Sequence, residues 1–344
     1  MVDKIINVGV IGLGHWGPNH VRVFNGCEGA KVIACADLSE ARREHIHKIY
    51  PDIHVTASAT PIFANKTIDA VVVATPTSTH FEFARAAIET GKHVLLEKPM
   101  CGSLKEASQL VELARKAGVV LMPGHVFLYN RGIQFIKDGA IRGDFGRLEY
   151  LDATRTNLGP IRPDINAVQD LAVHEFSIFD AIFGTLPRWV SASGSCLLKT
   201  SREDVAFISL EYGGGLAHLH VSWLHPQKTR QMTLVGDKRM VVWNDMNAEE
   251  PLRIYDKGVA EEPYYNSFGE FQLLLRDREI QIPRLKLEEP LALQAAAFVG
   301  KLHEASFDAS GAREGLRVMK CLEAAMKSLR EDGRRVDLEK EGLL

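Results

Sequence analysis

The sequence predicts an α/β N-terminal domain joined to a second, α+β domain built on a large, mostly antiparallel open sheet. Two observations carry this. Apolar strands alternate with helical stretches through roughly the first 120 residues, and after Pro123-Gly124 strands follow one another with no helix between them. Alternation forces parallel pairing, because each crossover helix must cover a face of the sheet. Successive strands joined by glycine-containing turns such as Tyr212-Gly213-Gly214-Gly215 and Gly236-Asp237-Lys238 pair as antiparallel meanders.

In chain order, apolar runs predict strands at 5–11, 31–36, 69–74, 92–96 and 119–122, with helices at 16–25, 39–49, 77–90 and 103–117 between them. The second domain opens with a helix at 131–140 and a strand at 147–156. An irregular stretch at 157–167 follows, then a helix at 168–183. Strands are expected at 188–198, 204–212, 215–223, 229–235, 239–245 and 251–256, and helices at 289–304 and 311–331 close the chain. The expected division is 1–124 and 125–344, with the charged tail from Glu331 to Leu344 partly loose. Apolar residues fall on both parities of the late strands (Ala206, Ile208 and Leu210 against Val205 and Phe207), which favours a homodimer or homotetramer assembled through the C-terminal sheet.

The first strand runs straight into Gly12-Leu13-Gly14-His15-Trp16-Gly17, a G-x-G-x-x-G turn between strand and helix. Gly12 allows the tight turn, Gly14 lets a pyrophosphate approach the backbone, and Gly17 lets the helix pack on the strand, so this is a Rossmann dinucleotide site with the phosphates at the helix N-terminus. The second strand ends at Asp37, where a ribose-binding carboxylate belongs. A carboxylate accepts from a 2′-hydroxyl and repels a 2′-phosphate, so NAD is favoured over NADP; Arg42 and Arg43, which could serve a 2′-phosphate, read as a solvated helix face.

Composition bounds the rest. The chain has 344 residues, 46% hydrophobic and 25% charged, with a formal net charge of −3. No basic block invites nucleic acid or an anionic membrane surface, which leaves a small-molecule substrate. Five scattered cysteines without C-x-x-C spacing fit reduced thiols and no metal site. Met1 to Lys4 lead directly into the first strand, and no apolar run reaches the length of a membrane span; the expectation is a soluble, cytoplasmic protein. His218 and His220 share a strand face but have no third ligand at matching spacing, and read as structural.

Three segments carry candidate chemistry. Thr75, Pro76 and His80 follow the third of the predicted strands, and Glu97-Lys98-Pro99 follow the fourth, both at C-terminal strand ends where an open α/β sheet binds its ligand. With His15 and Trp16 of the glycine turn, they are the expected cofactor contacts. Asp170 and His174 stand four apart in QDLAVHEFSIF, on one side of a helix. Oxidising a secondary alcohol needs a hydride acceptor and a base for the hydroxyl proton. His174 suits the base, Asp170 can orient it or bind a neighbouring hydroxyl, and Lys98 can stabilise a developing alkoxide. Alone, Asp170 and His174 would be an ordinary helix pair; E-K-P makes them catalytic candidates.

The pairing of E-K-P with the leading glycine turn and D-x-x-x-H resembles the glucose-fructose oxidoreductase/inositol dehydrogenase/MocA (Gfo/Idh/MocA) family over essentially the whole length. The resemblance implies that Lys98 reaches the substrate hydroxyl, that Pro99 follows a cis bond, and that Asp170 and His174 supply the other catalytic side chains. The chain departs from the family in reading Asn166-Ala167-Val168-Gln169 where a glycine often precedes the aspartate. The stretch Arg155 to Asn166 resembles the substrate-binding segment of the sugar-nucleotide branch; Arg155, Arg162 and Asn157 are candidate ligands for a carboxylate or phosphate, against the alternative of a surface loop. Tyr129, after the last Rossmann strand, is a further substrate candidate and Phe127 a core residue. The implied activity is NAD-dependent hydride transfer to or from a ring hydroxyl or ketone of a sugar, sugar nucleotide or cyclitol. The alternatives are a lyase or glycosidase that oxidises its sugar transiently, and a non-catalytic NAD-binding sensor.

Overall fold

A computed structural model describes residues 4–162, 164–198, 201–259, 275–304 and 310–344. Pro163, within the arginine-rich stretch, lies outside the described residues. The chain divides into two compact units, Met1–Tyr129 with Glu288–Met319, and Asn130–Leu287 with Lys320–Leu344. The boundary therefore falls five residues later than 124, and a late segment joins the first unit.

The first unit is a six-stranded parallel sheet of β1 (Ile6–Ile11), β2 (Ala30–Ala36), β3 (His54–Thr56), β4 (Ala70–Val73), β5 (His93–Leu96) and β6 (Leu121–Pro123), in the order β3-β2-β1-β4-β5-β6. Its helices are α1 (Gly17–Asn25), α2 (Glu40–Ile49), α3 (Thr60–Ala64), α4 (His80–Glu89) and α5 (Leu104–Ala117). β1 and β4 are buried almost throughout, as parallel strands covered on both faces must be. α5 is fixed at both ends: Ser103 and Glu106 form a capping box, and Gly118 ends it in the left-handed region at φ 66°. β3 and α3 were not legible as elements. β3 is a three-residue edge strand with no buried position, so it lacks the apolar run that marks its neighbours.

The second unit begins with α6 (Arg131–Arg142), whose N-cap Asn130 accepts the amides of Gly132 and Ile133. β7 (Leu148–Leu158) and α7 (Val173–Phe183) follow, then β8 (Trp189–Ser195), β9 (Val205–Glu211), β10 (Leu216–Ser222), β11 (Leu224–Gly236), β12 (Met240–Asn244), β13 (Leu252–Val259) and β14 (Leu275–Gln281). With β15 (Val336–Asp337) the strand order is β14-β13-β12-β11-β7-β10-β9-β8-β15, with β7 and β10 parallel and the other pairs antiparallel. α8 (Pro290–His303) belongs to the first unit, and α9 (Ser310–Arg330) passes from the first to the second between Met319 and Lys320. The tail is not loose: β15 (Val336–Asp337) pairs with β8, and Val336 and Leu338 are fully buried.

Burial alternates along β9 and along most of β7 and β10, with Leu151, Ala153, Ala206, Ile208, Leu210, Ala217, Leu219 and Val221 inward, and is broken only where Arg155–Thr156 and Val221–Ser222 are buried side by side. The opposite parity is mixed. Tyr150, Phe207 and Leu216 are about half exposed, Phe207 stacks on His220 at 4.5 Å, and His218 pairs with Asp152. Among the described residues no helix is long and apolar enough to cross a membrane.

Candidate active site

The glycine turn is built as a cradle for a pyrophosphate. Gly12 has φ 94°, and a Cβ there would sit 2.5 Å from the Ala74 carbonyl oxygen. At Gly17 a Cβ would come within 2.0 Å of the Gly12 carbonyl oxygen, so only glycine lets α1 start so close to the strand. Gly14 differs: its Cβ position is open, with Arg42 Nη1 at 3.9 Å the one neighbour within 4 Å. That open backbone precedes the N-terminus of α1, where free amides favour an anion. His15 and Trp16 are exposed on the turn with their rings edge to face at 5.6 Å. These features fit NAD.

Asp37, at the end of β2, uses its carboxylate on the backbone. Oδ2 accepts the Leu13 amide at 2.7 Å and Oδ1 accepts the Ser39 amide at 2.8 Å, while Arg42 Nη1 lies 3.6 Å from Oδ2. Arg42 is thus beside the turn and still solvated, its side chain 56% exposed; Arg43 donates to the carbonyls of Asp37 and Leu38.

On the β4 side, the Thr79 hydroxyl donates to Thr75 Oγ1 and to the Pro76 carbonyl, both at 2.8 Å. His80 is 1% exposed, its Nδ1 2.9 Å from the Pro99 carbonyl oxygen and its Nε2 2.9 Å from that of Thr75. Burial pushes its imidazole below the ordinary range, and the two carbonyls oppose that shift. The Lys98–Pro99 bond is cis. Glu97 is buried: its Oε1 accepts His20 Nε2–H at 2.8 Å and its Oε2 accepts the Lys98 amide at 3.1 Å. Burial alone would raise its pKa, but the hydrogen bond and charge of His20, followed by Lys98, hold it below the usual carboxylate range. The polar atoms of His80 and Glu97, expected as cofactor contacts, meet the chain itself, His80 at the Thr75 and Pro99 carbonyls and Glu97 at His20 and the Lys98 amide. His125 is 3% exposed, and burial, with Lys98 adding and Glu97 opposing, pushes it down to about 4. The Tyr129 hydroxyl faces Met122 Sδ at 3.5 Å, and burial raises it to about 12.

In the second unit, β7 runs through Leu158, so Arg155 lies on the strand as expected and Asn157 joins it instead of opening the loop. Arg155 is 3% exposed, with Nε 2.7 Å from each Glu175 carboxylate oxygen. Asn157 folds over Gly159, where a Cβ would meet its Nδ2 at 1.8 Å. Arg162 makes a two-point contact with Asp164, at 3.1 and 2.6 Å, and places Nη1 3.6 Å from Asp170 Oδ1. Both guanidinium charges already face carboxylates.

The expected helix at 168–183 has two parts. A π-helical turn, Val168–Ala172, precedes α7. Asn166 opens it by a reciprocal pair, its Oδ1 accepting the Gln169 amide and its own amide donating to Gln169 Oε1. Residues four apart stay on one side in either helix type, so Asp170 and His174 share a face. Asp170 Oδ2 accepts Trp223 Nε1–H at 3.2 Å, and His174 is 8% exposed. His20, Trp223 and Glu175 were not anticipated; each is legible only as a partner. The pieces suit alcohol oxidation: an anion cradle and a buried carboxylate bearing a lysine in one unit, and a carboxylate with a histidine on one helix in the other.

Comparison with known proteins gives the same picture. Residues 6–125 match the oxidoreductase-family NAD-binding Rossmann fold of GFO/IDH/MocA proteins and residues 140–242 match the C-terminal domain of that family, together well over half of the chain. UDP-N-acetylglucosamine 3-dehydrogenase from Acidithiobacillus ferrooxidans is 29% identical over 262 residues, 75% of this chain and 79% of that protein. A solved structure of the enzyme of that name superposes with a TM-score of 0.79 at 25% identity, over 96% of this chain and 99% of that one. Myo-inositol 2-dehydrogenase from Thermotoga maritima is 28% identical over 226 residues, 61% of this chain and 66% of that protein.

Proposed function

Because the chain belongs to the GFO/IDH/MocA family of NAD-binding oxidoreductases, we propose that it is a dehydrogenase acting on a ring hydroxyl, or on the matching ketone, of a sugar, sugar nucleotide or cyclitol. The observation that carries this reading is the glycine turn, closed to any side chain at Gly12 and Gly17 and open at Gly14, in the same unit as the E-K-P lysine. NAD, when bound, supplies the hydride acceptor. Gly12, Gly14 and Gly17 would hold its pyrophosphate at the start of α1, Asp37 would serve the ribose, and Thr75 and Pro76, at the end of β4, would contact it as well.

Lys98 stabilises the oxygen that becomes anionic as its proton leaves. His174 takes that proton at a ring nitrogen, and Asp170, held by Trp223, binds a neighbouring hydroxyl or orients the base. Arg155 and Arg162 hold Glu175, Asp164 and Asp170 in place, which favours substrates recognised through hydroxyls. The mixed outer face of the nine-stranded sheet, with Tyr150, Phe207 and Leu216 exposed, supports a homodimer or homotetramer, and the composition supports a cytoplasmic location.

The test is NADH formation across a panel of hexoses, inositols, uronic acids and their nucleotide derivatives, followed at 340 nm. Stoichiometric NADH with one substrate class is expected. Substrate conversion without accumulating NADH would replace this reading by a lyase or glycosidase.

A further inference from the structure

We propose that His20 is a positioning residue for Lys98, acting through Glu97, with His80 holding the same segment from the other side. The inference rests on the catalytic role given to Lys98 above and adds what aims it. His20 sits on the first full turn of α1, three residues past Gly17, and is 1% exposed. Its Nε2–H donates to Glu97 Oε1 at 2.8 Å, and Glu97 Oε2 accepts the Lys98 amide at 3.1 Å. Two residues on, the Pro99 carbonyl faces His80 Nδ1 at 2.9 Å. The backbone that carries the lysine is thus gripped before and after it by two buried imidazoles.

The cost of this arrangement argues for a function. A buried carboxylate paired with a buried histidine rarely adds net stability over an apolar pair of the same size. Glu97 also leaves little room opposite: a Cβ on Gly124 would stand 3.2 Å from Glu97 Cα and 3.3 Å from Oε2. What the pair does accomplish is to tie the helix that begins at the phosphate cradle to the strand end that bears Lys98. A displacement of about 1 Å at a reacting group can cost on the order of a hundredfold in rate, so a link of this kind fixes the lysine relative to the bound cofactor.

The test compares His20→Phe, which keeps a ring and loses the donor, with His20→Gln, which keeps an N–H. The first readout needs no substrate: amide hydrogen exchange at Lys98. It should rise by about tenfold or more in His20→Phe and return close to the parent rate in His20→Gln, while Val72 in β4 keeps its protection. The second is turnover with the best substrate of the panel, where His20→Phe should lose about tenfold to a hundredfold in kcat and His20→Gln should recover most of it. On top of Lys98→Met, His20→Phe should cost no further factor, as two residues acting as one unit require. Unchanged exchange at Lys98 in His20→Phe, or an equal additional loss on top of Lys98→Met, overturns the proposal. Full turnover by Lys98→Met overturns the role of Lys98 itself, and the exchange data still report whether His20 holds its backbone. If His20→Phe does not fold, Glu97→Met, which has similar length and neither acceptor oxygen, is held to the same criterion.

Discussion

The Asp37 carboxylate accepts the Leu13 amide at 2.7 Å, joining the end of β2 to the middle of the glycine turn. One side chain therefore shapes the phosphate cradle and presents an acidic edge on the ribose side. Asp37→Ala should weaken NAD binding by about 1.5–3 kcal/mol, the range for a hydrogen bond to a charged group. It should also narrow the gap to NADP, since Arg42 then keeps its charge beside Gly14 without the carboxylate 3.6 Å away. Calorimetric titration of both cofactors checks this; an unchanged NAD:NADP ratio would remove Asp37 from the selection.

Lys98→Met and His174→Ala should fold, bind NAD and lose about 10²–10⁴-fold in turnover, the usual contribution of acid–base groups. Asp170→Asn should lose less, because an amide oxygen still accepts from Trp223. Steady-state kinetics with the panel substrate decides, and less than a tenfold loss in both of the first two variants would take them out of the chemistry.

Arg155 and Glu175 form a buried ion pair, so removing one partner strands the other charge. Arg155→Met is expected to destabilise the fold by about 3–5 kcal/mol, and adding Glu175→Gln should restore part of that. Denaturant unfolding measures both. Normal stability together with a raised KM for anionic sugars alone would instead place Arg155 on the substrate.

His125 supplies a pH signature. Its folded pKa of about 4 lies below the ordinary 6.5, so between these values the unfolded chain binds a proton that the folded chain refuses. Stability is unaffected above about pH 6.5, falls as pH drops from there towards 4, and the loss levels off at about 3 kcal/mol below that. His125→Phe should flatten this part of the acid limb. Parallel pH–stability curves for the two proteins would show that the imidazole does not titrate in this way.

Much of the architecture follows from periodicity alone, because β1, β4 and β5 are apolar runs and the late strands alternate. What escaped had physical reasons. β3 and β15 are three and two residues long and lie at sheet edges, where few side chains need burial. The tail read as loose from its charges, although Val336, Leu338 and Leu343 among them are buried. The glycine turn, E-K-P and D-x-x-x-H are local patterns, legible from their spacing alone. Arg155 pairs with a residue 20 positions away on another element, and no spacing rule tells a guanidinium that binds substrate from one that binds its own protein. The π turn is equally silent, though Asn166 and Gln169, its reciprocal pair, are present three apart in the sequence.

The core of the first unit is completed by residues from the far end of the chain. Phe298 meets Phe24 edge to face at 6.2 Å, and Leu291, Ala295 and Val299 pack into the same cluster with Val21 and Phe24. On the ribosome, α1 is made early and waits for nearly 270 further residues before its apolar cover emerges. The nucleotide-binding unit, first in sequence, therefore cannot close until residues 288–319 have been made. A stretch ending at Tyr129 would leave Phe24 facing water, and nascent chains of this protein should need a chaperone longer than their domain order suggests.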